Sequence, residues 1–500
     1  MNEDEFRRQN PLSAERLAEQ GQETAEVREV VPEDSFLDVG SSAHSPARPL
    51  VAWVVILLAT ITVITLQSIR SDGKTRLTGG ELTNDLQAKY LVGLSQFSRE
   101  ALAQPAAREG FSGDRRIKDL RWVLLLHAVE DATLARKELE LLSTIPSEPS
   151  AEERELLRAV TTLVAADGTP EHPAEPLSQA DTDLIRNRFG WLGQLATTDS
   201  RGETAGARSQ LLEQARRTVV TLIGMVSAGF LAFVLGMGLA LGWTVYATSG
   251  KLRFLLRCPT GTGGYYAETF ALWFVTFFGL SIVVGLVAPP QLGLTAAGVA
   301  AGLSLLTLFW PVWRGVPWRQ VRSELGIVWP EGGWLELLWG VLGYLGGLPV
   351  VFAGLMLTLL LMRWQALLTG TALFAFAEPP VHPIIEPLVH GSWWIRLQAV
   401  AVVLLVPITE EIMFRGVLYR HLREAFGRWG WLVSVILSML TSSLLFAIIH
   451  PQGPLGVPVL TAVALVLALL REWRASLIAP IVTHMIVNGV TTTFVLLIFA

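Results

Sequence analysis

The sequence predicts an all-α membrane protein: a polytopic helical bundle of about nine spans, an extracytoplasmic, mainly helical insert and a disordered N-terminal tail. Three observations predict it. Of 500 residues, 51% are hydrophobic and only 17% charged, against about 25% charged in ordinary soluble chains. Apolar runs long enough to cross a hydrocarbon core of about 30 Å recur along the chain. Many of the seventeen tryptophans, among them Trp243, Trp310, Trp313, Trp318, Trp393, Trp394 and Trp431, fall near the ends of those runs, where amphipathic rings anchor a span at the interface. The net charge of -5 gives no sign of a nucleic-acid partner, and the single cysteine, Cys258, excludes an internal disulfide framework.

Residues 1–47 hold eleven acidic and four basic residues without a sustained apolar period, which reads as a disordered acidic tail. The run Pro49 to Ser68 follows too long and too acidic a stretch for a cleaved leader, so residues 48–70 are expected to be a retained transmembrane anchor. Residues 71–215 form the sizeable soluble stretch. Asp119 to Ser143 and Ala151 to Ala166 carry apolar residues at helical rather than alternating spacing, predicting a small helical domain. Its expected role is an insert packed on the membrane region; recognition of a substrate or partner is the alternative.

Residues 216–390 form a transmembrane region and 391–500 a last group of spans. Spans are expected at about Thr218–Ala247, Phe270–Ala288, Leu292–Val312, Leu337–Met362, Leu397 into Glu410, Trp431–Ile449, Leu455–Leu470 and Ser476–Phe499. Gly346, Gly347 and Pro349 are read as interrupting one of them. Loops containing Lys251, Arg253 and Arg257, then Arg314, Arg319 and Arg322, then Arg420, Arg423 and Arg428, then Arg471 and Arg474 all fall on one side. That side should be cytoplasmic, which places the N-terminus inside and the insert outside. Arg216 and Arg217 argue the other way.

Charge inside a span marks a functional site by default. Pro407-Ile-Thr-Glu-Glu-Ile-Met-Phe-Arg-Gly416 places two carboxylates and an arginine within an apolar run. On a helix Glu411 and Arg415 stand at i and i+4 and can pair, leaving Glu410 about 100° away and free for chemistry. Phe446-Ala-Ile-Ile-His450 ends one later run, and His484 and Asn488 share a helical face in another. If one helix runs to Phe426 and the next starts near Ser434, Glu410 and His450 both lie about 24 Å from the turn and are level. The same count leaves His484 out of level, unless a break at Pro451, Pro454 or Pro458 absorbs the difference.

The order Glu-Glu-x-x-x-Arg, Phe-x-x-x-His, His-x-x-x-Asn on successive hydrophobic segments resembles the CAAX prenyl endopeptidase and bacteriocin-processing family of intramembrane proteases. The resemblance covers roughly Trp393 to Ala500. It implies a catalytic core that hydrolyses a peptide bond of a membrane-associated or lipidated protein or peptide. It also implies the roles: Glu410 and His450 activating water, His484 and Asn488 donating to the oxyanion, with Glu411, Arg415 and Phe446 in support. No cofactor and no metal are expected, and the partners are the membrane substrate and the bilayer. The resemblance and the compact loops suggest a multi-pass protein of a bacterial inner membrane.

The duller readings are an interfacial ion pair, a histidine capping a span end, and His484 with Asn488 as interhelical glue worth about 1 kcal/mol. A zinc enzyme with Glu410, His450 and His484 as ligands is the alternative mechanism, although there is no His-Glu-x-x-His signature. A cluster of His382 and His390 with Glu378 and Glu386 is a weaker metal candidate. The alternative class is a non-hydrolytic scaffold or transporter, since intramembrane Glu, Arg and His also mark ion paths.

Overall fold

The computed structural model describes residues 47–71, 79–98, 113–143, 148–165, 177–198, 204–251, 254–330, 332–368 and 384–499, with a few single positions between 100 and 111. The expected acidic tail up to residue 46 lies outside them, as do Glu378 and His382 of the weaker metal candidate. Among the described residues every regular element is helical. Nine of these helical segments are long and apolar enough to cross a membrane. The protein is an all-α polytopic bundle.

Helix α1 (Pro49–Ser71) covers the run expected to be an anchor. The insert holds α2 (Gly79–Ser95), α3 (Arg115–Ala128), α4 (Ala132–Ser143), α5 (Ala151–Ala165) and α6 (Gln179–Ala196). The Asp119 to Ser143 stretch divides into α3 and α4 because Glu130 takes a left-handed φ of 63° and Asp131 accepts from Leu134 N at 3.1 Å. Helix α5 opens on a reciprocal capping pair, Ser150 N to Glu153 Oε2 at 2.7 Å and Glu153 N to Ser150 Oγ at 3.2 Å, which satisfies two otherwise orphaned donors. Leu120, Leu124, Leu156, Val160, Ile185 and Leu192 bury together as the core of the insert.

That core extends onto Ala215 of α7 (Ala205–Thr248), a single helix of 44 residues. At 1.5 Å per residue it is about 66 Å long, twice the hydrocarbon core, so its first half packs with the insert and its second half can span. The division expected at residue 215 falls inside it. Arg216 and Arg217, the contrary charges at that point, pair with Glu213 at 2.8 and 2.9 Å.

The remaining α-helices of six or more residues are α8 (Gly263–Val287), α9 (Gly293–Ser304), α10 (Trp318–Leu325), α11 (Trp334–Leu368), α12 (Ile385–His390), α13 (Trp393–Glu411), α14 (Tyr419–Ala425), α15 (Trp431–Ile448), α16 (Val457–Arg474) and α17 (Ile478–Phe499). Gly346, Gly347 and Pro349 do not interrupt α11, which is continuous over 35 residues. The glycines serve packing instead. A Cβ at Gly347 would stand 2.6 Å from Val466 Cγ1 and one at Gly343 2.6 Å from Leu470 Cδ1, so their absence lets α11 lie close against α16.

Two local departures position the site. Between α13 and α14 the chain forms a π-helical turn, Ile412–Leu418, where a single uninterrupted helix to Phe426 is expected from the sequence; such turns re-aim side chains and recur at functional sites. The α16 to α17 reversal is also inset rather than lying at the end of the bundle. Arg471 Nε donates to Arg415 O at 3.2 Å, Arg471 Nη2 to Glu324 O at 2.9 Å, and Leu477 N to Gly326 O at 3.1 Å. The turn is therefore level with Arg415.

Several arginines taken as loop charges are in fact core residues. Arg420 and Arg471 are fully buried and Arg423 is 6% exposed. Arg420 pairs with Glu324 and Glu424 at 3.0 Å, Arg423 with Glu472 at 3.0 Å, and Arg474 with Glu336 at 2.7 Å. Tyr419 donates to Glu472 Oε2 at 2.9 Å. Buried guanidinium groups require such partners, because an unpaired one would forfeit several kcal/mol of hydration.

Candidate active site

Helix α13, the turn just past α15 and helix α17 each deliver one ionisable side chain to the same point. Glu410 Oε1 lies 4.0 Å from His450 Nε2, and Glu410 Oε2 lies 3.6 Å from His484 Nε2. The side chains of Glu410 and His450 keep 19% and 15% of their exposure, whereas His484 keeps 6%. His484 is brought into level because the inset turn seats Leu477 against Gly416; the count that separated them placed that turn at the end of the bundle.

Behind Glu410 lies a fully buried triad. Glu411 Oε1 receives Arg415 Nη1 at 2.9 Å and meets His484 Nδ1 at 2.8 Å, and both Glu411 and Arg415 are completely inaccessible. The Glu411 to Arg415 pair has the spacing the sequence suggests. The bond from Glu411 to His484 does not follow from the sequence, since 73 residues separate the two. Arg415 Nη2 donates to Ala464 O at 3.3 Å.

These contacts assign the imidazole protons. A carboxylate and a carbonyl only accept, so Nδ1 of His484 carries a proton for Glu411 and Nδ1 of His450 carries one for Phe446 O, 2.5 Å away. In the neutral rings both Nε2 atoms then present lone pairs toward Glu410. His484 Nε2 can donate only when that ring is doubly protonated.

Phe446 organises the aromatic side of the site. Its ring lies 4.2 Å from the His450 ring and 5.8 Å from the His484 ring by centroid. The Arg415 guanidinium sits 4.6 Å from the same centroid, a cation–π contact in a water-poor setting. Asn488 stands one helical turn from His484. Its Nδ2 donates to Val403 O at 3.1 Å, about two helical turns before Glu410 on α13.

The donor set also bears on the zinc alternative. Among the described residues no three His, Cys, Asp or Glu side chains are arranged to hold a metal ion.

The residues that sequence reasoning missed are the buried ionic layer of Glu324, Arg420, Arg423, Arg471 and Glu472. One signal was present: Arg420 and Glu424 stand at i and i+4. Nothing in the order of residues ties Glu324 or Glu472 to partners on other helices.

Comparison with known proteins agrees with this region. The family described as type II CAAX prenyl endopeptidase Rce1-like matches residues 392–490. The chain is 28% identical over 138 residues to the membrane-embedded CAAX protease MroQ of Staphylococcus aureus (strain USA300), covering 28% of this chain and 55% of that protein. It is 34% identical over 91 residues to the uncharacterized protein YpbD of Bacillus subtilis (strain 168), covering 17% of this chain and 40% of that protein. The chain thus spans about half the length of the curated relatives it matches. No solved structure matches it. Glu410, His450 and His484 thus all lie within the residues that match the type II CAAX prenyl endopeptidase Rce1-like family.

Proposed function

We propose that the protein is an intramembrane endopeptidase that hydrolyses a peptide bond of a membrane-associated or lipidated protein or peptide with water activated by Glu410. The observation that carries this reading is the meeting of Glu410, His450 and His484 from three separate segments of the chain, with the buried Glu411 and Arg415 pair behind them. Glu410 takes a proton from water as its oxygen attacks the scissile carbonyl carbon. His450 Nε2, its ring held by Phe446 O, accepts from the second water hydrogen and aims the attack. The carbonyl electron pair moves onto oxygen, where doubly protonated His484 and an Asn488 amide hydrogen stabilise it. Collapse breaks the C–N bond, and Glu410 passes its proton to the leaving amine.

In this reading the mechanism is metal-free. Cleavage of a membrane peptide by the purified protein in lipid nanodiscs should survive prolonged treatment with a strong chelator. Activity lost on chelation and restored by about one zinc per chain would overturn it.

The N-terminus is placed in the cytoplasm of a bacterial cell, with residues 71–215 on the opposite side of the inner membrane. The exposed Lys251, Arg257, Arg319, Arg322 and Arg428 still support that orientation after the buried arginines are set aside. A reporter inserted at residue 148, ahead of α5, should read as extracytoplasmic and one at Gly427 as cytoplasmic. Both on one side would contradict the nine-span arrangement.

A further inference from the structure

The buried guanidinium groups near the site are satisfied in two ways. Arg420 and Arg423 meet carboxylates. Arg471, fully buried in the last turn of α16, gives each of its three nitrogens to a backbone carbonyl: Nε to Arg415 O at 3.2 Å, Nη2 to Glu324 O at 2.9 Å, and Nη1 to Ala475 O. Two of these oxygens stand at helix ends. Glu324 lies in the last turn of α10 and Ala475 directly follows α16. Carbonyls at such places lack intrahelical donors and carry the negative end of the helix dipole, so a cation there is favoured without a carboxylate.

The segments that supply the carbonyls are packed too closely for side chains between them. Gly326 ends α10 in the left-handed conformation, with φ 77°. A Cβ on it would strike Arg471 Nη1 and stand 2.7 Å from Ala475 O, and its carbonyl accepts from Leu477 N at 3.1 Å. A Cβ on Gly416, in the π-helical turn, would stand 3.3 Å from Leu325 O and 3.4 Å from Leu477 Cδ1. The end of α10, the π-helical turn and the start of α17 therefore meet around Arg471.

Both partners of the bond between Glu411 and His484 hang from this junction. Glu411 stands one helical turn before Arg415, whose carbonyl receives Arg471 Nε. His484 follows Leu477 by about 10 Å of helix. Where Leu477 is moored thus decides whether His484 Nδ1 comes to 2.8 Å from Glu411. Residues 324–326 lie ahead of the matched residues 392–490, so an earlier part of the chain completes the junction.

We propose that Arg471 and Gly326 are positioning residues for the reaction: they moor the start of α17 to the π-helical turn and so set His484 against Glu411 and Glu410. The effect on rate rests on the peptidase reading, whereas the placement of His484 is measurable without cleavage. His484 acts on an oxyanion that exists only after water has attacked, so displacing it lowers kcat and leaves KM in place. A misplacement of about 1 Å is enough for a loss of about 10²-fold.

The test uses full-length protein in nanodiscs. Arg471→Met keeps the length and removes all three bonds, and should lower kcat about 10²-fold with KM changed by less than about twofold. Arg471→Lys keeps a cation at the two helix ends and should restore about tenfold of that loss. Gly326→Ala alone should lower kcat about tenfold, yet add little to Arg471→Met, because both act through one contact. Arg474→Gln breaks the pair with Glu336 without touching the three carbonyls, so it should lower the melting temperature and spare kcat. The readout that needs no substrate is nitrogen-15 NMR of histidine-labelled protein. The hydrogen-bonded Nδ1–H of His484, identified by its loss in His484→Asn, should move upfield in Gly326→Ala and in Arg471→Met. If Arg471→Met does not fold, Gly326→Ala and Arg471→Lys carry both measurements. A resonance that stays in place in the folded variants, losses of kcat that simply add, or an Arg474→Gln protein as slow as Arg471→Met overturns the proposal. A wild-type protein that cleaves nothing while the resonance moves as stated counts against the peptidase reading alone.

Discussion

Glu410→Gln is expected to lower peptide cleavage by a factor of about 10² to 10⁴ while leaving folding and insertion intact. The glutamine keeps the size and one acceptor oxygen but cannot take the proton from water. Glu410 keeps partial exposure and has no ion-pair contact closer than 3.6 Å among the described residues, so removing its charge breaks no tight pair. Asn488→Ala should give a smaller loss of about 10² to 10³, the usual range for one oxyanion donor. Measured at matched expression against one membrane peptide, both variants should melt with wild type. A fully active Glu410→Gln protein would refute the assignment of the base.

Glu411→Gln should behave differently, with the larger effect on stability. The substitution leaves Arg415 buried without its charge partner, and breaking a buried pair in this way costs about 3 to 5 kcal/mol. The contact with His484 adds a consequence that the pair alone would not have: the ring loses the acceptor that fixes its orientation and tautomer, so cleavage should fall as well. Glu411→Leu combined with Arg415→Met separates the two roles. Replacing both charges by apolar groups of similar size should recover much of the stability, while activity stays low because His484 remains without its carboxylate. If Glu411→Gln is inactive but as stable as wild type, and Glu410→Gln still cleaves, the two carboxylates hold each other's roles.

The amino-acid sequence by itself determined the membrane class, the number of spans and the three segments that carry the site. Each of these is a local property. A run of apolar residues must leave water wherever it lies, and residues at i and i+4 share a helix face whatever surrounds them, as Glu411 and Arg415 do. The sequence also marked Glu410, His450 and His484 as expensive to place in a membrane and therefore worth explaining. It left open whether they meet. That depends on where helices begin and turn: on the π-helical turn at Ile412–Leu418, and on the α16 to α17 reversal being drawn inward by Arg471. Tertiary structure also turned Arg420, Arg423 and Arg471 from loop charges into core residues, since a charge is buried only where other parts of the chain supply a counter-charge, as for Arg420 and Arg423, or carbonyl acceptors, as for Arg471. The bond between Glu411 and His484 belongs to the same class. Two side chains 73 residues apart are paired by helix packing, which no local pattern encodes.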